Sequence, residues 1–197
     1  MTRASSDPIA LFLEDRERAR AAGEGWDATA AALATVNAEG HPSVRFVLVK
    51  EAALDGFRFY TNRHSHKAQE LRAVPHAALA FLWQTIDVQF RVEGPVRMLD
   101  DAASDAYFAS RPRISQLGAW ASEQSQPLAS RDVLMTRLAE LEKKYPEGTP
   151  VPRPPHWGGY LLVPSTLEHW RAGEFRLHQR TLYARDGAGW RGTLMNP

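Results

Sequence analysis

The chain contains no cysteine in its 197 residues. That excludes disulfides, thiolate metal sites and a cysteine nucleophile, and it agrees with a reducing cytoplasm. No apolar stretch approaches membrane-spanning length. The opening "MTRASSDPIALFLEDRERAR" has only a five-residue apolar run before its acids, so no secretory leader is expected. Neither charge dominates: 24 Lys+Arg face 23 Asp+Glu, a formal net charge of +1. Any recognition of an anion must therefore be local, and no basic stripe interleaved with aromatics marks a nucleic-acid surface. The seven His lack HxxxH or HExxH spacing, so no metal site is expected. No GxGxxG or Walker loop follows a strand, and no Ser-His-Asp arrangement suggests itself. These absences describe a soluble cytoplasmic protein, with a length that fits one generous domain and a buried core.

What is present punctuates the chain clearly. Ser6 and Asp7 before Pro8 read as an N-cap with proline in the first turn, and Ile9, Phe12 and Leu13 form a helical stripe, giving a helix region over 1–25. From Ala28 to Asn62 the period becomes strand-like, with turns at Ala38-Glu39-Gly40 and Asp55-Gly56. "SHKAQELRAV" is a short helix stopped by Pro75. "AALAFLWQ" and "VQFRVEGPVRML" are strands, the second carrying Pro95 at a bulge or an edge. Residues 100–145 hold inserted helices: "DDAASDAYFASR", ended by Pro112, and "ASRDVLMTRLAELEKKY", with Val133, Leu134, Leu138 and Leu141 on one side. After the connector "GTPVPRPPHW", residues 156–197 read as three strands: "GGYLLVPSTLEHW", "RLHQRTLYARDG" and "GWRGTL". Short strands at regular spacing with inserted helices predict a mainly β fold, a small antiparallel barrel with peripheral helices.

Candidate sites are polar and cationic residues inside segments that otherwise read as buried. In "RFVLVK", Arg45 and Lys50 end an apolar strand, which a barrel strand with snorkelling ends also explains. "FYTNRHSHKAQEL" delivers Tyr60 and Thr61 at a strand end, followed by Lys67 in the first turn of a helix. Lysine is unfavourable there unless an anion binds among Ser65, Lys67 and the free N–H groups; an ordinary capped surface helix is the alternative. Gln89 is an amide in an apolar strand and needs partners. Tyr107 and Arg111 share a helix face, and Ser115 returns beside them after Pro112, a set that suits a phosphate monoester or simply a helix C-terminus. Gln124 and Ser125 in "SEQSQ" carry no signal of their own. In "GEFRLHQR", an extended backbone would point Arg176, His178 and Arg180 to one face, with Trp170 just upstream to cover a flat ligand. Together these are two separate collections of cations and hydroxyls, plus amides and a Trp. They favour two phosphorylated heteroaromatic ligands.

The blocks "RFVLVK", "FYTN…S.KAQEL", "YFASRPRISQLGAWAS.QS", "PPHWGGY" and "W..GEFRLHQR" resemble, in order and across almost the whole chain, the pyridoxamine/pyridoxine 5'-phosphate oxidase family. The resemblance implies an FMN-binding split β-barrel of six or so antiparallel strands with Greek-key-like connections. It implies a homodimer with FMN between subunits, residues 156–197 supplying dimerisation and substrate-site strands. Arg45, Phe46, Val47, Lys50, Tyr60, Thr61, His66 and Lys67 would hold FMN, with Gln89 near its ring. Gln124, Ser125, Trp170 and Arg180 would reach it from the partner chain. Lys50, Tyr107, Arg111 and Ser115 would bind the substrate phosphate, and Arg176 and His178 would act at the pyridine ring. The implied reaction passes a hydride from C4' of a phosphorylated pyridine to the flavin, and dioxygen then takes the electrons as hydrogen peroxide.

The chain also departs from the family pattern. "SHKA" puts His66 where an arginine is usual, "RLHQR" puts Gln179 where an acid is usual, and "LMNP" puts Leu194 in place of an arginine. A longer N-terminal arm with arginine and tyrosine is absent. The alternatives are a paralogue oxidising another reduced ring, as in phenazine pathways, and a flavin- or pyridoxal phosphate-binding protein without turnover.

Overall fold

A computed structural model describes residues 7–23 and 27–197 of the chain. Ser6, expected in the first cap, lies outside them. The Asp7 carboxylate caps α1 (Pro8–Ala21) by accepting from the Ile9 N–H at 2.9 Å, and Pro8 occupies the first turn, where a missing N–H costs nothing. Next come β1 (Ala30–Val36), β2 (Pro42–Ala53), β3 (Gly56–Asn62), α2 (His66–Ala73), β4 (His76–Trp83) and β5 (Val88–Met98). Three helices follow, α3 (Asp101–Ser110), α4 (Arg113–Ala121) and α5 (Arg131–Lys144). The chain closes with β6 (Trp157–Leu162), β7 (Thr166–Arg171), β8 (Gln179–Asp186) and β9 (Gly189–Met195).

Six strands close an antiparallel barrel in the order β4-β1-β2-β3-β6-β5, with β5 returning to β4. The strand β5 makes this possible by changing partners. Along Val88–Pro95 it pairs with β4 on one side; on the other it pairs with β7 through Val88–Glu93, then with β6 through Val96–Met98. The change falls at Gly94-Pro95. A Cβ on Gly94 would lie 2.0 Å from the Val163 carbonyl oxygen, so only glycine admits that close crossing. Pro95 has no N–H to leave unpaired, and its carbonyl accepts from Val163 N at 2.9 Å. The strands β7, β8 and β9 therefore extend from β5 as a flap outside the closed ring. Where one strand was expected over "GGYLLVPSTLEHW", there are two, because the chain breaks at Val163-Pro164-Ser165 to cross from β6 to β7.

The helix α1 plugs the barrel. Phe12 is fully buried and meets four rings, Phe57, Phe81, Trp83 and Phe90, at centroid distances of 4.8–5.2 Å. A second, smaller cluster of Phe108, Leu117, Val151 and Trp157 joins α3 and α4 to β6. The helix α5 has no buried residue: its Leu138 and Leu141 pack against this cluster, while Val133 stays exposed despite its place in the predicted stripe. Replacing Phe12 by Ala opens the centre of the main core and is expected to lower stability by about 3–5 kcal/mol. Denaturant unfolding of the two proteins at equal concentration checks this; a loss below 1 kcal/mol would show that α1 is not the plug.

Candidate active site

A groove of about 1140 Å³ runs beside β2, the end of β3, the start of α2 and the α3–α4 corner. It gathers thirteen of the residues singled out in the sequence, from Arg45 on β2 to Ser125 in the loop after α4. On β2, Ser43, Arg45, Val47 and Val49 alternate with the more exposed Val44, Phe46 and Leu48. A β-bulge interrupts this alternation at Lys50, between the pairs Val49↔Phe59 and Glu51↔Arg58. Bulges re-aim side chains, and here Lys50 comes to line the groove.

The first polar cluster surrounds Lys67, which is only 8% exposed. Its ammonium donates to Thr61 Oγ1 at 3.2 Å, Gln124 Oε1 at 3.3 Å and Ser65 Oγ at 3.4 Å, all neutral acceptors. Burial, and then repulsion from Arg45, push the Lys67 pKa down to about 8, although Glu70 opposes the shift. Arg45 itself is braced: it donates to Thr35, Ser43 and the Leu33 carbonyl, and pairs with the buried Glu70 at 3.0 Å. Burial would raise the Glu70 pKa, but hydrogen bonds from Thr35, Ser43 and Arg45 hold it below the usual value. His66 is exposed, with Nε2 at 3.5 Å from Glu70, while its backbone N–H donates to Ser125 Oγ at 3.2 Å. Ser125 adopts a left-handed backbone, φ 72°, to reach it. Gln124 and Ser125 thus line the groove beside Lys67 of their own chain, a correction to their expected place opposite a partner's site.

The second cluster begins one residue before Thr61. Tyr60 stacks on Tyr107 at 3.8 Å and lies parallel to Trp157 at 5.5 Å. Burial and the neighbouring Glu51 push the Tyr60 phenol up to about 12. Arg111 lies over Trp157 at 4.8 Å, and its Nη1 is buried without any hydrogen-bond partner. Burial lowers the Arg111 pKa accordingly. Ser115 and Lys50 complete the lining. Asp27, which sequence reasoning missed, pairs with Lys50 at 3.4 Å and is steered by Thr29, whose N–H and hydroxyl donate to Oδ1 at 2.9 and 2.7 Å. An acid three residues before a strand was its only signal.

The remaining five residues sit elsewhere. Gln89 lines an adjoining cleft of about 400 Å³ that shares Asp27 and Phe46 with the main groove. Across the flap, Gln89 lies opposite Trp170, and Trp170 opposite Arg180, so the three form one cross-strand row. The His178 ring is 4.6 Å from Trp170. The expected strand through Arg176 and His178 is corrected: Glu174–Arg176 form a 3₁₀ turn, Phe175 and Arg176 have φ of 55° and 64°, and β8 starts only at Gln179. Arg176, His178 and Arg180 therefore do not share a strand face. Gly173 permits the turn, since a Cβ there would lie 2.0 Å from the Leu177 carbonyl oxygen. Its N–H donates to His178 Nδ1 at 3.3 Å. Gln179 and Leu194 are exposed, and nothing in the structure explains either departure.

A buried ammonium without an anion in contact and a buried guanidinium nitrogen without a partner are what two separate anionic groups would complete. Lys67 also carries a sign-definite signature. Its pKa is lower folded than unfolded, so between about 8 and the ordinary 10.5 the unfolded chain binds more protons and stability rises with pH. Lys67→Met is therefore expected to stabilise the apo-protein near neutral pH, by an amount that shrinks as pH rises through that window. Denaturant midpoints over a pH series test this, and a variant no more stable than wild type near neutrality removes the burial argument.

Comparison with known proteins bears on the same features. Residues 18–145 match the family model described as pyridoxamine 5'-phosphate oxidase, and residues 157–197 that of the pyridoxine 5'-phosphate oxidase C-terminal dimerisation region. The pyridoxine/pyridoxamine 5'-phosphate oxidase of Anaeromyxobacter dehalogenans is 54% identical over 98% of this chain and 97% of its own length. That of Myxococcus xanthus is 53% identical over 97% of this chain and 92% of its own. Among solved structures, PhzG from Burkholderia lata 383, in complex with tetrahydrophenazine-1-carboxylic acid, superposes with a TM-score of 0.91 at 32% identity, covering 98% of this chain and 93% of that one. With its closed six-strand barrel, its two cationic clusters and these matches, the chain belongs to the pyridoxamine 5'-phosphate oxidase family.

Proposed function

We propose that this protein is an FMN-dependent oxidase that converts pyridoxamine 5'-phosphate and pyridoxine 5'-phosphate to pyridoxal 5'-phosphate, with dioxygen reduced to hydrogen peroxide. The observation that carries the reading is the pairing of two anion-ready clusters in one groove, Lys67 in the first and Arg111 in the second, joined by consecutive residues Tyr60 and Thr61. Identity above 50% to oxidases named for these phosphorylated pyridines supplies the substrate class.

Lys67, Thr61, Ser125 and the backbone N–H of His66 would hold the cofactor phosphate, with Arg45 fixed beside them by Glu70. Arg111, Lys50, Tyr107 and Ser115 would hold the substrate phosphate, with the Tyr60–Tyr107–Trp157 stack lining that end. Bound FMN supplies a two-electron acceptor that dioxygen can regenerate. Arg176 would orient the pyridine through the fixed donor fork of its guanidinium. His178 uses Nδ1 to accept from Gly173, which leaves Nε2 for the ring hydroxyl.

The C-terminal region that matches the dimerisation model supports a homodimer. The groove is flanked by the exposed apolar row Val44, Phe46 and Leu48, which suits cover by a second subunit. We place FMN at that interface, with Trp170, Arg176, His178 and Arg180 reaching it from the partner subunit. Among the described residues no helix is long and apolar enough to cross a membrane, and the cysteine-free chain suits the cytoplasm.

The protein purified with FMN should be yellow, and under air should turn either phosphorylated vitamer into pyridoxal 5'-phosphate and peroxide. A yellow protein inert to both vitamers sinks the reading in favour of a paralogue that oxidises another ring, the chemistry suggested by the ligand in the PhzG structure. A protein colourless in excess FMN excludes every flavin-based reading. Arg111→Met should raise the KM for either vitamer roughly 10- to 100-fold with little change in FMN affinity, the loss of a charge-assisted phosphate contact. Arg176→Ala should instead lower kcat by about 100-fold or more while FMN affinity holds; loss of FMN affinity with kcat intact would reverse that assignment.

A further inference from the structure

The flap beyond β5 buries one carboxylate. Glu168 on β7 is 4% exposed, and an ionised carboxylate leaves water only if charge and hydrogen bonds replace it. Two guanidinium groups do so. Arg91 Nη2 donates to Oε2 at 2.8 Å, while Arg180 donates through Nε to Oε1 at 3.1 Å and through Nη2 to Oε2 at 3.0 Å. The Arg180 contact is a two-point fork, which fixes the plane of the guanidinium as well as its position. Arg180 Nη1 then donates to the Asn196 carbonyl at 2.9 Å. With Nε and one proton on each terminal nitrogen committed, one N–H on each terminal nitrogen stays free.

An apolar set of similar volume would stabilise such a site as well or better; what the fork adds is orientation. Arg180 lies directly opposite Trp170 across β7 and β8, and Trp170 opposite Gln89 across β5 and β7. Glu168 sits two residues before Trp170 on the same face, between the Arg91 and Arg180 side chains. We propose that Glu168 is a positioning residue of the flavin site: it holds the Arg180 guanidinium beside Trp170 so that its two uncommitted N–H groups face bound FMN. This rests on the reading that Arg180 meets FMN and adds the group that aims it. The Asn196 carbonyl is the second brace, and Arg91 compensates the carboxylate from the other side.

The test is titration of apo-protein with FMN, followed by quenching of flavin fluorescence, alongside melting curves. Glu168→Gln and Arg180→Lys should each raise the FMN Kd about tenfold. The double variant should bind no more weakly than the weaker single variant, since both changes break one linkage. A merely structural role would instead lower the melting temperature and add its loss to that of Arg180→Lys. Additive losses overturn the proposal, and so does wild-type affinity in Glu168→Gln. If Glu168→Gln does not fold, Glu168→Asp keeps the charge but withdraws the fork; the same tenfold rise is expected, and an unchanged Kd overturns the proposal. Should Arg180→Lys bind FMN like wild type, Arg180 is not at the cofactor and the proposal falls while the flavin reading stands. Wild-type protein that binds no FMN removes both.

Discussion

The change of partner along β5 at Gly94-Pro95 is the constraint on which the rest of the structure depends. One strand closes the barrel through β4 and β6 and also carries the flap through β7. The main groove lies toward β2 and β3, and the Gln89–Trp170–Arg180 row lies toward β7 and β8, with β5 between them in the sheet. A single chain therefore keeps the groove and that row apart rather than in one closed pocket. Such an arrangement suits a homodimer, where the parts of different chains can meet.

Electrostatics sorts the cations into two kinds. Arg45, Lys50 and Arg180 each have a carboxylate partner: Glu70, Asp27 and Glu168. Lys67 and the Nη1 of Arg111 have no anion in contact, and burial depresses both pKa values. A buried cation without an anion is unfavourable in the empty protein and becomes favourable when an anion arrives. The paired cations are held in fixed orientations by their carboxylates, while Lys67 and the Arg111 Nη1 lack such a partner. With a net charge of only +1, the protein concentrates this capacity in a few buried residues rather than over its surface.

Much of the fold was legible because its signals are short-ranged. The Asp7-Pro8 cap, the glycine turns, the stop at Pro75 and the break at Pro112 each act within a few residues, and each lies where the pattern put it. The family blocks located the groove residues from Arg45 to Ser125 before any geometry was known. Strand alternation misled where backbone left the strand. Three residues of "GEFRLHQR" looked like one cationic face, yet Arg176 sits in a turn with positive φ, and only Arg180 lies on β8. The bulge at Lys50 and the split at Val163-Pro164-Ser165 escaped notice for a similar reason: both answer to a neighbouring strand rather than to their own sequence.

Sequence by itself determined the family, the turns, most strands and every helix but α4 (Arg113–Ala121), because caps, prolines, periodicity and motif blocks are properties of contiguous residues. Tertiary structure alone decided which of the cations are neutralised. Glu70 reaches Arg45 across 25 residues, and Glu168 meets Arg91 across 77. It also brought Gln124 and Ser125 beside Lys67 of the same chain, and set Gln89, Trp170 and Arg180 in one row. These pairings follow from strand register and barrel closure, which depend on contacts between distant segments that no local pattern encodes.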